Sequence, residues 1–267
     1  MLKDITIGQY IPGNSFLHKS DPRTKIILSV LYMIIVFLID SYGAFAMLTF
    51  FTLAVIISCG IPLLYTIRGL KPVLFIVVFT SILNIFYTQS GTMLFEYKFI
   101  HITDQGILTA VKIALRLTLF VMGGTLLTFT TTPISLTDGL EKLMKPLKHI
   151  GVPAHEIAMM MSIAIRFIPS LMDETDKIMK AQSARGADFD TGNIIQRAKS
   201  FIPVLVPLLV SAFRRATELA TAMEARCYRG GEGRTRMKQL RFSKADVVVT
   251  GIMIVFTAAL FWVDKMA

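Results

Sequence analysis

"EIAMMMSIAIRFIPSLMDETDKIMKAQSARG" (156–186) opens as an apolar helix and closes as a charged one, ending on Ala-Arg-Gly. The next long helical pattern, "FIPVLVPLLVSAFRRATELATAMEARCYRG" (201–230), makes the same change and ends on Ala-Arg-Cys. The apolar parts, 156–172 and 201–213, are about 17 and 13 residues long, where a spanning helix needs roughly 20. Pro169, Pro203 and Pro207 interrupt them. Both stretches are therefore expected to rest at or beneath a membrane surface, with their polar halves, 173–186 and 214–230, projecting toward the cytoplasm.

The rest of the chain supplies the membrane. Of 267 residues, 54% are hydrophobic and only 17% charged, against about 25% charged in soluble domains. Five apolar runs are long enough to predict spans: Ile26–Ile39, Gly43–Cys59, Pro72–Gln89, Gly106–Thr131 and Ala245–Val263. Asp40-Ser41-Tyr42-Gly43 splits the first two into a hairpin. The net charge of +10 is unevenly placed. Lys3, Lys19, Arg23 and Lys25 precede the first span, Arg68 and Lys71 follow the second, and most other cations lie between the fourth and fifth. Lys and Arg mark cytoplasmic loops, which predicts a cytoplasmic N-terminus and an outside C-terminus, and gives the basic balance a reading other than nucleic acid. The first fifteen residues carry no basic stretch leading into a long apolar run, so no cleaved signal peptide is expected. Three helices are predicted between spans four and five: Ile134–Ile150, Ala154–Ala184 and Asn193–Tyr228, each with Pro or Gly near its start and Gly near its end. The domain plan is an N-terminal arm (1–21), spans one to four (22–131), a coupling-helix region (132–244) and a last span (245–267).

Ala181-Gln182-Ser183-Ala184-Arg185-Gly186 and Ala222-Met223-Glu224-Ala225-Arg226-Cys227 are two versions of one phrase. Each follows a Phe-Ile-Pro, at 167–169 and 201–203. Arg185 lies about four and a half helical turns beyond Pro169, and Arg226 about six and a half beyond Pro203. The difference is about two turns and keeps a similar facing, so the second arm is expected to be longer by about 10 Å. Paired alanines keep the helix end thin, and arginine offers a planar fork for carboxylates or carbonyls. Gly186 and Gly230 would turn the chain away after each tip. An arginine at a helix C-terminus also complements the helix dipole, so a single such ending needs no partner; two in matched context point to two docking sites. The methionine-rich stretch 158–169 and the stretch 201–210 have few charges and suit an adaptable apolar platform.

Other candidates read as structural. The four histidines show no metal spacing, and Asp173, Glu174 and Asp176 fit a solvated helix face. Lys112 and Arg116 lie one turn apart in the fourth span, where snorkelling or pairing within the bundle is expected. Cys59 and Cys227 suggest no disulfide framework. No phosphate loop, Ser/His/Asp arrangement or HExxH is present, so any ATP would be used by another chain.

With "DPRTK" (21–25) before the first span, "RFIP" (166–169) and the two Ala-Arg tips, the whole chain resembles the transmembrane T component of energy-coupling factor (ECF) transporters. The second tip departs from the commoner form by carrying Cys227. The resemblance implies an all-α membrane protein of about five transmembrane helices and three cytoplasmic or interfacial coupling helices, the last two long and crossing. It implies docking of Ala184, Arg185, Gly186, Ala225, Arg226 and Cys227 into two ABC-type ATPase subunits. It implies a platform of Met159, Met160, Ile163, Phe167, Pro169, Phe201, Pro203, Leu205 and Pro207 for a substrate-binding membrane S component. Such a subunit is not an enzyme and holds no cofactor or metal, ATP and Mg²⁺ being bound by the partners; it links ATP use to vitamin or trace-metal uptake. The alternative from the residues is a permease with its own solute path near Lys112, Arg116 and Asn84. An intramembrane enzyme is disfavoured by the lack of a paired catalytic constellation.

Overall fold

A computed structural model describes residues 10–87, 92–97, 100–189, 191, 193–230 and 240–266. Lys3, Gly192 and the end of the third predicted span at Gln89 lie outside these residues. In chain order the elements are α1 (Phe16–Lys19), α2 (Pro22–Leu38), α3 (Tyr42–Ser58), α4 (Leu63–Tyr87), β1 (Met93–Tyr97), β2 (Ile100–Thr103), α5 (Asp104–Thr130), α6 (Pro133–Met144), a 3₁₀ turn (Lys145–Ile150), α7 (Ala154–Ala184), α8 (Ile194–Ser200), α9 (Ile202–Ala225) and α10 (Lys244–Met266). They pack as two compact units, one drawn from 8–140 with 240–267, the other from 141–239.

All five predicted spans are helices: α2 to α5 and α10. By length and composition α4, α5 and α10 suffice to cross a membrane, with mean hydropathies of 1.9, 1.7 and 2.2. The 17-residue α2 and α3 are about 26 Å long, at the short end for a span. Helix α4 starts well before the predicted Pro72, which sits inside it; a spanning helix tolerates an internal proline when neighbours satisfy the freed carbonyl. A correction concerns the α8–α9 run. Ile195–Ala225 also passes by length and composition, with the lowest mean hydropathy, 1.3. The continuous apolar stretch stops at Phe213, whereas the alanines beyond it extend the apolar composition. A second difference is the hairpin of β1 and β2 between α4 and α5, where a plain loop was expected. Its segments are rich in aromatic and β-branched residues, which favour strands.

The first unit has a packed centre and an apolar outside. Ile35, Val36, Ile39, Ala44, Phe45, Leu48, Leu119 and Leu260 are almost wholly buried. Phe51 stacks on Phe256 with ring centres 3.9 Å apart. The Tyr32 hydroxyl and Thr52 Oγ1 share a hydrogen bond of 2.8 Å, which satisfies both polar groups away from water. Helix α4 buries only Thr66 among its residues and exposes Phe75, Phe79, Leu83 and Phe86. An apolar surface of that extent is compatible with lipid or a protein partner, not with water.

The segment "DPRTK" is a tie at one end of this unit. Asp21 caps α2, its carboxylate accepting from the Arg23 amide at 2.9 Å and gripping the Arg23 guanidinium at 3.0 and 2.8 Å. Burial pushes the Asp21 carboxyl up, but Arg23 and Lys25 outweigh it and hold the group below its ordinary value. The Asp21 amide donates to the buried Asp246 carboxylate at 2.6 Å, and Ser243 N donates to the other oxygen at 2.6 Å. Lys25 Nζ donates to the Thr130 carbonyl at 2.9 Å, and Arg23 stacks over Phe242 at 4.3 Å. One short segment thereby joins the starts of α2 and α10 to the end of α5. At the other end Asp264 accepts from the amides of Asp40 and Ser41 at 3.2 and 2.8 Å. Arg116 bonds the Ile39 carbonyl and Asp40 at 2.7 and 2.8 Å, and Lys112 lies 4.5 Å from the Tyr42 ring centre.

A Cβ on Gly123 would stand 2.5 Å from the Tyr32 ring, whereas one on Gly251 meets nothing within 4 Å. Gly123→Ala is expected to destabilise the unit by about 1–3 kcal/mol through overpacking. Gly251→Ala is expected to leave it unchanged or slightly stabler. Thermal unfolding of the detergent-solubilised variants measures both.

Candidate functional site

Helices α7 and α9 run antiparallel within the second unit. Gln182 Nε2 donates to the Pro203 carbonyl at 3.4 Å, and Arg215 donates to Ser170 Oγ at 2.5 Å and to Glu174 at 2.7 Å. Advancing along α9 from Pro203 to Arg215 thus moves the contact back along α7 from Gln182 to Glu174 and Ser170. The Pro203 carbonyl is available because Pro207, one turn on, has no amide hydrogen to offer it. The stripe of α9 that faces α7 is the less exposed one: Val204, Leu208, Ser211, Arg215, Leu219 and Met223.

In this register each polar half stands opposite the apolar half of its partner. Two expectations are corrected. Glu174 is not part of a solvated face but turns to α9, while Asp173 is exposed as expected. And the arms are equal: Glu174 to Arg185 and Arg215 to Arg226 span the same number of positions. The predicted extra two turns are therefore absent when length is taken from the contact and not from the prolines. Continuing the register places Arg226 opposite the start of α7 near Met159. The two arginines then lie at opposite ends of the pair, about 40 Å apart at 1.5 Å per residue.

Both tips close in one geometry. At the end of α7, Gly186 N donates to the Ser183 carbonyl and Ala187 N to the Gln182 carbonyl, each at 3.0 Å. At the end of α9, Cys227 N donates to the Glu224 carbonyl at 2.9 Å and Tyr228 N to the Met223 carbonyl at 3.0 Å. This is the two-bond Schellman cap, with the arginine at the cap position and the next residue left-handed. Gly186 has φ +90° and Cys227 φ +55°. The turning residue of the second tip is therefore Cys227, not Gly230, which is also left-handed three residues later at φ +89°. Ala184, Arg185, Gly186, Ala225, Arg226 and Cys227 are all exposed. Neither tip arginine has an ion pair or side-chain hydrogen bond among the described residues. The start of α7 is tied down: His155 pairs with Glu141 at 3.0 Å and its other ring nitrogen lies 3.4 Å from the Tyr228 hydroxyl.

The proposed platform residues fall into two patches. Met160, Pro169, Phe201, Pro203, Leu205 and Pro207 are exposed, and Met159, Ile163 and Phe167 are half-buried. The α7 set and the α9 set flank the middle of the pair, their centres about 25 Å apart by the register. Exposed Leu209, Val210 and Phe213 continue the α9 patch toward the middle. Lys112 and Arg116 are engaged with Tyr42, Ile39 and Asp40, and Asn84 donates to Thr80 of its own helix at 2.8 Å. These three residues of the permease alternative are held by internal contacts. Asp246, Ser170, Ser211 and Arg215 were not among the expected functional residues; the constant offset between the two Ala-Arg tips is the signal that finds the last three.

A family model described as CbiQ, cobalt transport protein, matches residues 13–237. A protein of Ruminiclostridium cellulolyticum is 64% identical over 256 residues, covering 96% of each chain. One of Clostridium kluyveri is 55% identical over 251 residues, covering 94% of this chain and 93% of its own. One of Bacillus subtilis is 48% identical over 262 residues, covering 98% and 99%. Each of the three bears the name energy-coupling factor transporter transmembrane protein EcfT. With the membrane helices and the paired tips, these matches place the chain in the family of energy-coupling factor transporter transmembrane proteins.

Proposed function

We propose that this chain is the coupling scaffold between two cytoplasmic ABC-type ATPases and a substrate-binding membrane subunit, the S component, of a vitamin or trace-metal importer. The observation that carries the proposal is the pair of identically capped, exposed arginine tips at opposite ends of one antiparallel helix pair. A single basic helix end is explained by its own dipole. Two with the same cap, the same alanine spacing and equal distance from the shared contact are fitted to two copies of one kind of groove. ATP and Mg²⁺ are bound by the ATPases, and this chain contributes no catalytic group.

The exposed apolar patch of α9, from Phe201 to Phe213, together with Met160 and Pro169 on α7, receives the S component. Met160 and Met161 are flexible enough to fit different shapes. α7 and α9 lie on the cytoplasmic side with their tips in water, since Arg214, Glu218, Glu224 and Arg226 follow the apolar part of α9. Helices α2 to α5 and α10 cross the membrane, which sets the N-terminus inside and the C-terminus outside.

Arg185→Glu and Arg226→Glu are each expected to remove one of two ATPase attachments, and the double variant both, while membrane insertion is kept. Quantitative co-purification of the ATPases with the tagged chain measures this; full recovery with both arginines reversed rejects the scaffold. Cys227→Gly relieves a left-handed non-glycine residue, so it is expected to stabilise the second tip by about 1 kcal/mol without weakening that co-purification. Gly186→Ala is expected to cost the first tip a similar amount. Hydrogen exchange of the amides at 186–187 and 227–228 reads both.

A further inference from the structure

The contact midway between the tips has an internal symmetry. Glu174 and Arg215 are 41 residues apart. The same offset carries Arg185 onto Arg226, Ala184 onto Ala225 and Ser170 onto Ser211. The two serines, Glu174 and Arg215 are the residues that meet. Arg215 bonds Ser170 and Glu174 at 2.5 and 2.7 Å. The Ser211 hydroxyl is buried on the stripe of α9 that faces α7 and makes no hydrogen bond among the described residues; its nearness, with Arg215, holds the Glu174 carboxyl below its ordinary value. Each serine therefore stands one turn before the charged residue of its own helix and faces the charged residue of the other. The arrangement is a pseudo-two-fold clasp, and each tip lies about three turns, about 16 Å, beyond it.

Such a clasp is suited to set an angle. Serine is small enough to let the helices approach, and its hydroxyl serves either sign of charge, as donor or acceptor. The Arg215 fork fixes direction as well as distance. Other polar contacts across the pair are longer: Gln182 meets the Pro203 carbonyl at 3.4 Å, and His155 of α7 meets the Tyr228 hydroxyl just past α9 at 3.4 Å. Equal arms about one fixed point convert a small rotation there into equal and opposite displacements of the tips.

We propose that Ser170, Glu174, Ser211 and Arg215 are positioning residues that fix the tip-to-tip geometry of α7 and α9 and so the efficiency with which ATP use drives uptake. This rests on the scaffold reading for its functional half and on geometry alone for its structural half. A consequence peculiar to the symmetry is that the charges are exchangeable. In Glu174→Arg/Arg215→Glu each serine meets the opposite sign, to which its hydroxyl can donate or from which it can accept.

The test uses the full chain in lipid nanodiscs, with spin labels on the exposed Lys180→Cys and Thr221→Cys and both native cysteines replaced by serine. The register puts these positions about 25 Å apart. One narrow distance distribution is expected for the parent and the charge-exchanged double variant, and a broad one for Glu174→Ala and Arg215→Ala. Ser170→Ala and Ser211→Ala, which remove no charge, are expected to broaden it partly at normal expression; they decide the matter if the charge variants do not fold. Unchanged narrow distributions in the single variants, or no recovery on exchange, overturn the clasp. The same chains lacking spin labels, assembled with the ATPases and S component, are expected to keep ATPase co-purification. They should lose uptake per ATP hydrolysed by at least about fivefold in Arg215→Ala, with recovery on exchange. Failure of the parent chain to retain ATPases refutes the scaffold reading and leaves the distance result to judge the clasp; intact uptake per ATP in a variant with a broadened distribution overturns the coupling role.

Discussion

The membrane unit depends on one buried carboxylate. Asp246 is 3% exposed, and a carboxylate there must be compensated by donors or charge. It accepts from the amides of Asp21 and Ser243, which are free because each lies at the entry to a helix. Asp21 in turn uses its own carboxylate for Arg23, whose guanidinium also reaches the Leu240 carbonyl and the Phe242 ring. Removing any one member leaves another charge short of partners in a poorly hydrated place. The cost of breaking such a pair exceeds the value of forming it. The arrangement thus fixes the register of α2 and α10, which the apolar contacts between them would specify only loosely. Pro22 packs beneath Gly139, where a Cβ would stand 3.0 Å from the proline side chain, so the start of α2 is held from that side too.

The second unit is built on a different balance. Its two long helices share few buried residues: Ala154, Ala158, Val204 and Ser211. Little apolar area is removed from water between them, and hydrophobic stabilisation follows that area. Directional polar contacts then decide how α7 and α9 lie on each other. Elements with few buried contacts are the ones that change arrangement at low cost.

The sequence makes the helices legible and leaves their partners obscure. Pro153 and Gly186 bracket α7 at Ala154–Ala184, where the structure ends it. Pro146 explains why the predicted Ile134–Ile150 gives way to a 3₁₀ turn after Met144: without an amide hydrogen it cannot continue the ladder. The two tips are readable because their cap chemistry is local. The pairing of Glu174 with Arg215 is not, because the segment between them contains a turn whose direction no local propensity sets. Aligning the helices by their prolines gives unequal arms, although prolines mark where backbone bonds are lost and not where helices touch. Asp246 is unreadable for the same reason. It lies 225 residues from Asp21, and at the head of an apolar span it looks like an ordinary first-turn acid.

The pseudo-two-fold relation also constrains what can bind. Two tips of one shape, placed at the ends of an antiparallel pair, point in opposite senses along it. Partners that receive them in equivalent grooves must themselves be related by an approximate two-fold axis through the clasp, the usual symmetry of paired subunits. The departures from symmetry then matter as much as the symmetry. Gly186 takes its left-handed conformation freely, whereas Cys227 pays for it. Gln182 at the third position of the first cap is held by Pro203, while its counterpart Met223 is an apolar side chain on the facing stripe. The first tip is therefore anchored to the neighbouring helix from inside its cap, and the second from the residue that closes its cap, where the Tyr228 hydroxyl meets His155 of α7 at 3.4 Å. The two tips thus share a shape and differ in the backbone strain of their turning residues and in the place at which each is anchored to the other helix.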